Sequence, residues 1–202
     1  MKDLLSQCTF CEREHAQVPS RIVPDENYRA ILANAIWKVI ATDITKVSWR
    51  EVKWCVLTAI CEFSRYLFAK VVQSEQADDI WPALHDCFSR VGFPLYMRSD
   101  RGTAFVKLQP TFERYGMRGL LCTSERPTAN GVVERVHRTM KDKVRSLELE
   151  GYQGNVHSVV ASVVHAYNLT PHTSLDMQCP ADVFFGREVR IWASRQRLRQ
   201  PK

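Results

Sequence analysis

Between Gly131 and Gly151 no glycine or proline intervenes, and the apolar positions keep a helical period. At about 100° per residue, Val133, Val136, Met140, Val144 and Leu147 fall on one stripe of a helix, and Glu134, Arg138, Lys141 and Arg145 on another. This predicts a helix buried along one side, with a carboxylate near its start and cations below it on the side facing water. Just upstream, Pro127, Asn130 and Gly131 punctuate residues 124–131 as a flexible loop that feeds the helix. The charged stripe by itself also fits a solvated surface with an ion pair between Glu134 and Arg138.

Before this helix the periodicity changes to that of strands. Ile36 to Asp43 is an apolar, β-branched run ending in an acid, and Val52 to Cys61 and Tyr66 to Val72 are two more, joined by short polar links. Three strands in succession predict an antiparallel meander. Ser74 to Arg90 reads as a helix: Ser74 is its cap, Glu75, Asp78 and Asp79 lie where the dipole favours acids, and Ala77, Ile80, Trp81, Leu84 and Phe88 form its apolar face. Pro94 to Ser99 is a fourth strand that stops at Asp100. Phe105 to Tyr115 is a short helix interrupted or offset by Pro110, and Met117 to Thr123 is a fifth strand. Asn155 to Asn168 is a helix ended by Pro171. The order β-β-β-α-β-α-β-α-α predicts an α/β fold, a five-stranded mixed sheet flanked by helices.

With 202 residues, 45% hydrophobic and 25% charged, the chain has material for one ordinary domain. Its formal charge of +6 is concentrated at the end: from Arg187 onward there are six cations and one acid. That tail fits either a solvated end or a contact to phosphates. No run approaches the roughly 18 apolar residues that span a bilayer, and the N-terminus has no apolar signal core. The expectation is a protein of the nucleus or cytoplasm, neither secreted nor membrane-spanning. Cys55, Cys61 and Cys122 sit in apolar runs, as reduced thiols do. Cys8 and Cys11 have a zinc-ligand spacing, with His15 following. Three ligands fall short of the four of a structural site, so zinc is not expected.

Two acids end predicted strands, Asp43 the first and Asp100 the fourth, and Glu134 opens the long helix. If strands one and four are neighbours with the helix beside them, the three carboxylates converge. Such a set suits two Mg²⁺ or Mn²⁺ ions, which clamp the attacking and leaving oxygens of a phosphoryl displacement. Taken singly, each acid is more simply a cap or a surface charge.

The flanking residues narrow the choice. Asp43 lies in Trp37-Lys-Val-Ile-Ala-Thr-Asp-Ile-Thr45 and Asp100 in Arg98-Ser-Asp-Arg-Gly-Thr-Ala-Phe105. Glu134 lies in Pro127-Thr-Ala-Asn-Gly-Val-Val-Glu-Arg-Val-His-Arg-Thr-Met-Lys141. With Tyr167-Asn-Leu-Thr-Pro-His172 and Cys179-Pro-Ala-Asp-Val-Phe-Phe-Gly-Arg187, the set resembles the catalytic core of retroviral and gypsy-type LTR-retrotransposon integrases over residues 36–187.

The resemblance implies an RNase H-like fold and a polynucleotidyl transferase of DNA integration, with Asp43, Asp100 and Glu134 as the metal-binding triad for two Mg²⁺ or Mn²⁺ ions. It puts Arg138 and Lys141, with Arg145 on the same stripe, against donor DNA, and Asn130 and Gly131 in a loop meeting the DNA end. The implied partners are retroelement DNA ends, target DNA and further copies of the chain. Residues 1–35 then read as a linker with the remnant of a zinc-binding module, and 188–202 as a basic tail. The chain departs from the pattern at several points. Only 33 residues separate Asp100 from Glu134, fewer than the family's usual spacing, and Arg101, Arg126 and His137 replace the usual neighbours. No β-barrel or chromodomain is expected after the tail. The alternative reading is a domesticated core, catalytically weak or inactive, acting as a DNA-binding or interaction module.

Overall fold

The computed structural model describes residues 33–122 and 127–189. Cys8, Cys11, His15 and the basic residues from 190 onward lie outside the described residues. Five strands, β1 (Val39–Trp49), β2 (Val52–Cys61), β3 (Leu67–Val72), β4 (Tyr96–Ser99) and β5 (Arg118–Leu121), form one sheet in the order β3-β2-β1-β4-β5. The first three make the expected antiparallel meander, while β1, β4 and β5 run parallel. Parallel neighbours need a crossover. It is supplied by α1 (Ala77–Val91) between β3 and β4, and by the short helices α2 (Thr103–Lys107) and α3 (Gln109–Arg114) between β4 and β5. The helix broken near Pro110 is thus two helices, with Pro110 in the first turn of the second, where a missing N–H costs nothing.

Helices cover both faces of the sheet. On one face Ile80, Leu84 and Phe88 of α1, with Phe105 and Phe112, pack on Ile40, Leu57 and Met97. On the other, Val133, Val136, Met140 and Val144 of α4 (Pro127–Leu149), with Val156, Val159, Val160 and Val163 of α5 (Val156–Asn168), pack on Ala41, Val47, Val56 and Ile60. The stripe predicted for the long helix is the buried one: Met140 is fully enclosed, while Glu134, Arg138, Lys141 and Arg145 are exposed. A single turn of 3-10 helix (Thr173–Leu175) and α6 (Pro180–Phe185) close the described chain. Among the described residues no helix is long and apolar enough to cross a membrane, and Cys55, Cys61, Cys87, Cys122 and Cys179 are free thiols.

Three expectations are corrected. β1 does not end at Asp43 but continues to Trp49, pairing with β2 until Trp49 faces Val52. The two-residue turn is Arg50-Glu51, both with positive φ (51° and 66°), the backbone of a tight hairpin usually marked by Asn-Gly. Here the turn is held from outside. The Arg50 N–H donates to Glu148 Oε1 at 2.6 Å near the end of α4, and the guanidinium lies over the Trp49 ring. Residues 127–131 are not a loop: α4 starts at Pro127 and takes in Asn130 and Gly131. Proline suits a first helical turn, and the roughly 1 kcal/mol that an internal glycine costs is small against the burial of the four apolar residues that follow. Finally, α1 begins at Ala77 with Gln76 as its flanking residue, and Ser74 instead hydrogen-bonds to the Asp79 side chain.

β3 is an edge strand, and its first residue is paired by a side chain. The Asn168 amide, 4% exposed, accepts from the Leu67 N–H at 2.8 Å and donates to the Leu67 carbonyl at 2.9 Å, which ties the end of α5 to the sheet. Replacing Asn168 by Leu leaves both Leu67 groups buried without partners. It should cost about 2–4 kcal/mol, read as a lower urea midpoint at unchanged slope, whereas Arg145→Ala on the exposed face of α4 should shift stability by less than about 0.5 kcal/mol. Equal midpoints for the two variants would contradict this role of Asn168.

Candidate active site

The site is set by where two parallel strands part. β1 pairs with β4 over only three residues, Val39–Ala41 against Tyr96–Arg98. Two steps further in the same register stand Asp43 on β1 and Asp100, the first residue beyond the end of β4. The carboxyl ends of parallel strands at such a parting are where open α/β sheets leave a crevice. The Asp43 and Asp100 side chains line one cleft of about 340 Å³ together with Ile44, Glu75, Gln76 and the segment from Gly102 to Phe105.

Each acid is fixed by local backbone. Asp43 Oδ1 accepts from the Ile44 N–H at 2.8 Å, and Asp100 Oδ1 accepts from the Gly102 N–H at 2.9 Å. A Cβ on residue 102 would sit 2.9 Å from that same Oδ1, so any larger residue there would push the Asp100 carboxylate out of this position. Burial pushes the Asp43 carboxyl up from 3.8 to about 6; the Ile44 hydrogen bond opposes this, and the charges of Asp100, Glu134 and Glu75 add to it. Glu134, exposed on the first part of α4, therefore acts on Asp43 through its field, although it does not line the cleft. No ion pair joins it to Arg138 among the described residues, which removes the simple surface-pair reading of the charged stripe. Among the described residues no group of three His, Cys, Asp or Glu side chains is gathered tightly enough to hold a metal ion.

On the inner side of α4, His137 faces the sheet beneath Asp43. Its Nε2 lies 2.9 Å from the Thr58 hydroxyl, which itself donates to the Asp43 carbonyl at 3.0 Å. With its one proton committed to that carbonyl, the hydroxyl can only accept from the ring, which puts the imidazole proton on Nε2. Burial, with Lys141 nearby, lowers the His137 pKa from 6.5 to about 4. The ring is thus neutral near pH 7, and its 3.8 Å approach to Asp43 Oδ2 is a polar contact rather than an ion pair.

The remaining residues singled out in the sequence are placed as follows. Arg138, Lys141 and Arg145 project from the exposed face of α4. Gly131 and the backbone of Asn130 belong to the helix. Arg101 is exposed and makes no ion pair with Asp100 among the described residues. Two features escaped sequence reasoning. Glu75, read as an acid placed for the helix dipole, lies in the cleft and pairs with Lys46 at 2.8 Å. The chain from His137 through Thr58 to the Asp43 backbone joins residues far apart in sequence, and no spacing announces it. Chemically, the cleft offers hard carboxylate oxygens near water, a donor set that fits a divalent cation.

Comparison with known proteins agrees with this architecture. A family model described as integrase core domain matches residues 33–127, and a second of the same description matches residues 116–180. An uncharacterised protein of Caenorhabditis elegans is 25% identical over 197 residues, covering 96% of this chain and 15% of the relative. The Pol polyprotein of feline endogenous virus ECE1 is 28% identical over 153 residues, covering 74% of this chain and 14% of the polyprotein. The chain thus spans about a seventh of the length of either relative. Among solved structures, the HTLV-2 integrase catalytic core domain in complex with magnesium superimposes with a TM-score of 0.65 at 17% identity, over 75% of this chain and 98% of that one. That likeness establishes the RNase H-like fold expected from the sequence. Since the two matches together run from the start of the sheet to the start of α6, the chain belongs to the integrase core domain family.

Proposed function

We propose that this core is a divalent-metal-dependent polynucleotidyl transferase that cuts and joins DNA ends, with Asp43, Asp100 and Glu134 as its ligand set. The observation that carries the reading is the opening of Asp43 and Asp100 into one cleft where β1 and β4 part, with the charge of Glu134 bearing on Asp43. Asp43, on which the charges of the other two bear, would hold both ions, with Asp100 on one and Glu134 on the other. The ions are Mg²⁺ or Mn²⁺, by the hardness of the donors and by likeness to a core solved with magnesium. When bound, such ions supply Lewis acidity for the attacking and leaving oxygens.

The chain's own groups hold and orient. The Ile44 and Gly102 N–H groups fix the Asp43 and Asp100 carboxylates, and neutral His137 supports the Asp43 backbone through Thr58. Arg138, Lys141 and Arg145, on the exposed face that carries Glu134, hold phosphates of the incoming strand. Water attacks a phosphodiester near the DNA 3′ end and the P–O3′ bond breaks, so the terminal nucleotides leave carrying the phosphate and the strand keeps a free 3′-hydroxyl. That hydroxyl then attacks a target phosphodiester, one P–O bond forming as another breaks, with no covalent bond to the protein. Retroelement ends and target DNA are the substrates, a homo-oligomer is the working form, and the basic residues from Arg187 onward add contacts to the backbone. In this division residues 36–187 are the catalytic core, between a linker and a tail.

A second reading, a core that binds DNA or a partner without turnover, is favoured by the absence of a gathered three-residue metal group among the described residues. Cleavage separates the two. Nicking of a labelled blunt duplex end in Mg²⁺ should be abolished by chelation and fall by at least about 100-fold in Asp100→Asn and Glu134→Gln. Binding without nicking in the wild type would leave only the second reading.

The raised Asp43 pKa gives a prediction with a definite sign. An acid whose pKa is higher folded than unfolded costs stability when ionised; the cost is full above about pH 6 and vanishes as pH falls below 3.8. Without metal, Asp43→Asn should therefore be more stable than wild type at about pH 7.5, by about 1–2 kcal/mol after allowance for solvent screening. The gain should disappear at about pH 4, and Mg²⁺ should raise the melting temperature of the wild type alone. Equal melting temperatures at all pH values would show that burial and the neighbouring charges do not raise the Asp43 pKa as described.

A further inference from the structure

α4 has a second flank that the acids do not use. Counting 100° per residue from Glu134, Arg138 lies at about 40°, Arg135 at about 100° and Thr139 at about 140°, on the side away from His137. This flank forms one wall of a separate cleft of about 370 Å³, whose other walls are Arg65 from the β2–β3 turn, Tyr167 and the residues from His172 to Ser174.

The lining has the character of an anion site. Three arginines, Arg65, Arg135 and Arg138, line it and no aspartate or glutamate does. None of the three is ion-paired among the described residues. Two of them, 70 positions apart in sequence, act on the same neutral groups. Burial raises the Tyr167 hydroxyl to about 12 and lowers His172, and Arg65 and Arg135 pull both pKa values down. Their fields therefore meet inside the cleft.

The polar groups are set to donate. The His172 Nδ1 lies 2.9 Å from the Ser174 hydroxyl and accepts from the Ser174 N–H at 3.4 Å, which leaves the imidazole proton on Nε2. Arg65 is held at φ 60°, an uncommon conformation for a residue other than glycine, by its N–H to Cys61 O at 2.8 Å. The turn thus presents a long cation where a small residue would fit the backbone better.

We propose that this cleft binds a phosphodiester of the nucleic-acid strand, a grip separate from the carboxylate cleft and joined to it across the crest of α4 by Arg138. The proposal rests on the reading of the core as acting on DNA. Arginine suits the task because its planar fork matches two phosphate oxygens at once. Arg138, one helical turn or about 6 Å beyond Glu134, stands between the two clefts, so a backbone leaving the acids meets it first and then Arg65 and Arg135.

The test is the salt dependence of binding to a short blunt duplex, followed by fluorescence anisotropy. Arg65→Ala/Arg135→Ala should weaken binding about tenfold or more at low salt and flatten the slope of log K against log salt by about 1.8, two phosphate contacts at about 0.9 each. Lys53→Ala/Arg114→Ala, which removes the same charge from exposed positions elsewhere, should change the slope far less, and Arg65→Lys/Arg135→Lys should keep most of it. Equal slopes for the two alanine pairs would overturn the proposal; if wild-type DNA-end nicking persists in that case, the functional reading stands without it. A wild type that binds no duplex overturns both. In the arginine Nε–Hε NMR spectrum, inorganic phosphate and duplex should shift the same Arg65 and Arg135 signals. Shifts with phosphate but none with duplex would mark a small-anion site and refute the backbone grip.

Discussion

The structure depends on how soon β1 and β4 stop pairing. After Ala41 and Arg98 no further pair joins them, yet β1 continues as a strand because its other edge stays paired with β2 as far as Trp49. β4, whose other edge is paired with β5 only as far as Ser99 and Leu121, turns away at Asp100. One strand thus runs on while its neighbour leaves, and the gap between them is the cleft. Asp43 can lie inside a regular strand and still reach solvent only because that side of β1 has lost its partner. The covering helices follow from the same geometry, since the parallel strands require crossovers and their side chains need apolar cover on both faces.

The electrostatics follow from the packing. Carboxylates gathered at a strand parting cannot all be well solvated, and Asp43 registers this as a pKa of about 6. The groups that answer the charge are two backbone N–H groups, while the Thr58 hydroxyl and a His137 ring kept neutral by burial brace the Asp43 main chain. Arginines and lysines stand on the outer face and flank of α4. A positive group pressed against the acids would offset their repulsion and leave less reason for a cation to bind. Of the acids here only Glu75 is paired, with Lys46; Asp43, Asp100 and Glu134 make no ion pair with a lysine or arginine among the described residues, and the surrounding surface is basic, which is a combination suited to a metal ion and a polyanion together.

Much of this was legible in the sequence, and the failures have physical causes. β2 and α5 stand out because their apolar periods are long and bounded by polar links or a cap: Val52–Cys61 matches its expected range, and the Asn155 side chain caps α5 through the Ser158 N–H. The far half of β1 was missed because Arg50 and Glu51 carry no turn signal; the turn is held by Arg50 contacts to Glu148 and to the Tyr152 carbonyl, both tertiary. The start of α4 was missed because Pro127 and Gly131 read locally as breakers, whereas burial of Val133, Val136, Met140 and Val144 decides the matter. Asp43 and Asp100 could be singled out because each follows an apolar run. The place of Glu75 beside them could not, since it depends on the path of the chain between β3 and α1. The same holds for Arg65, Arg135 and His172, which only the packed α4 and α5 bring together.

The central claim is that Asp43, Asp100 and Glu134 serve one divalent-ion site. Its most direct test is a calorimetric Mn²⁺ titration of the wild type, Asp43→Asn, Asp100→Asn and Glu134→Gln, each with a DNA end present. The account predicts that every substitution weakens Mn²⁺ binding by at least about tenfold, since removing any one carboxylate takes oxygens from a shared site. Wild-type affinity and stoichiometry in Glu134→Gln would contradict it, because the helix carboxylate would then take no part in holding the metal.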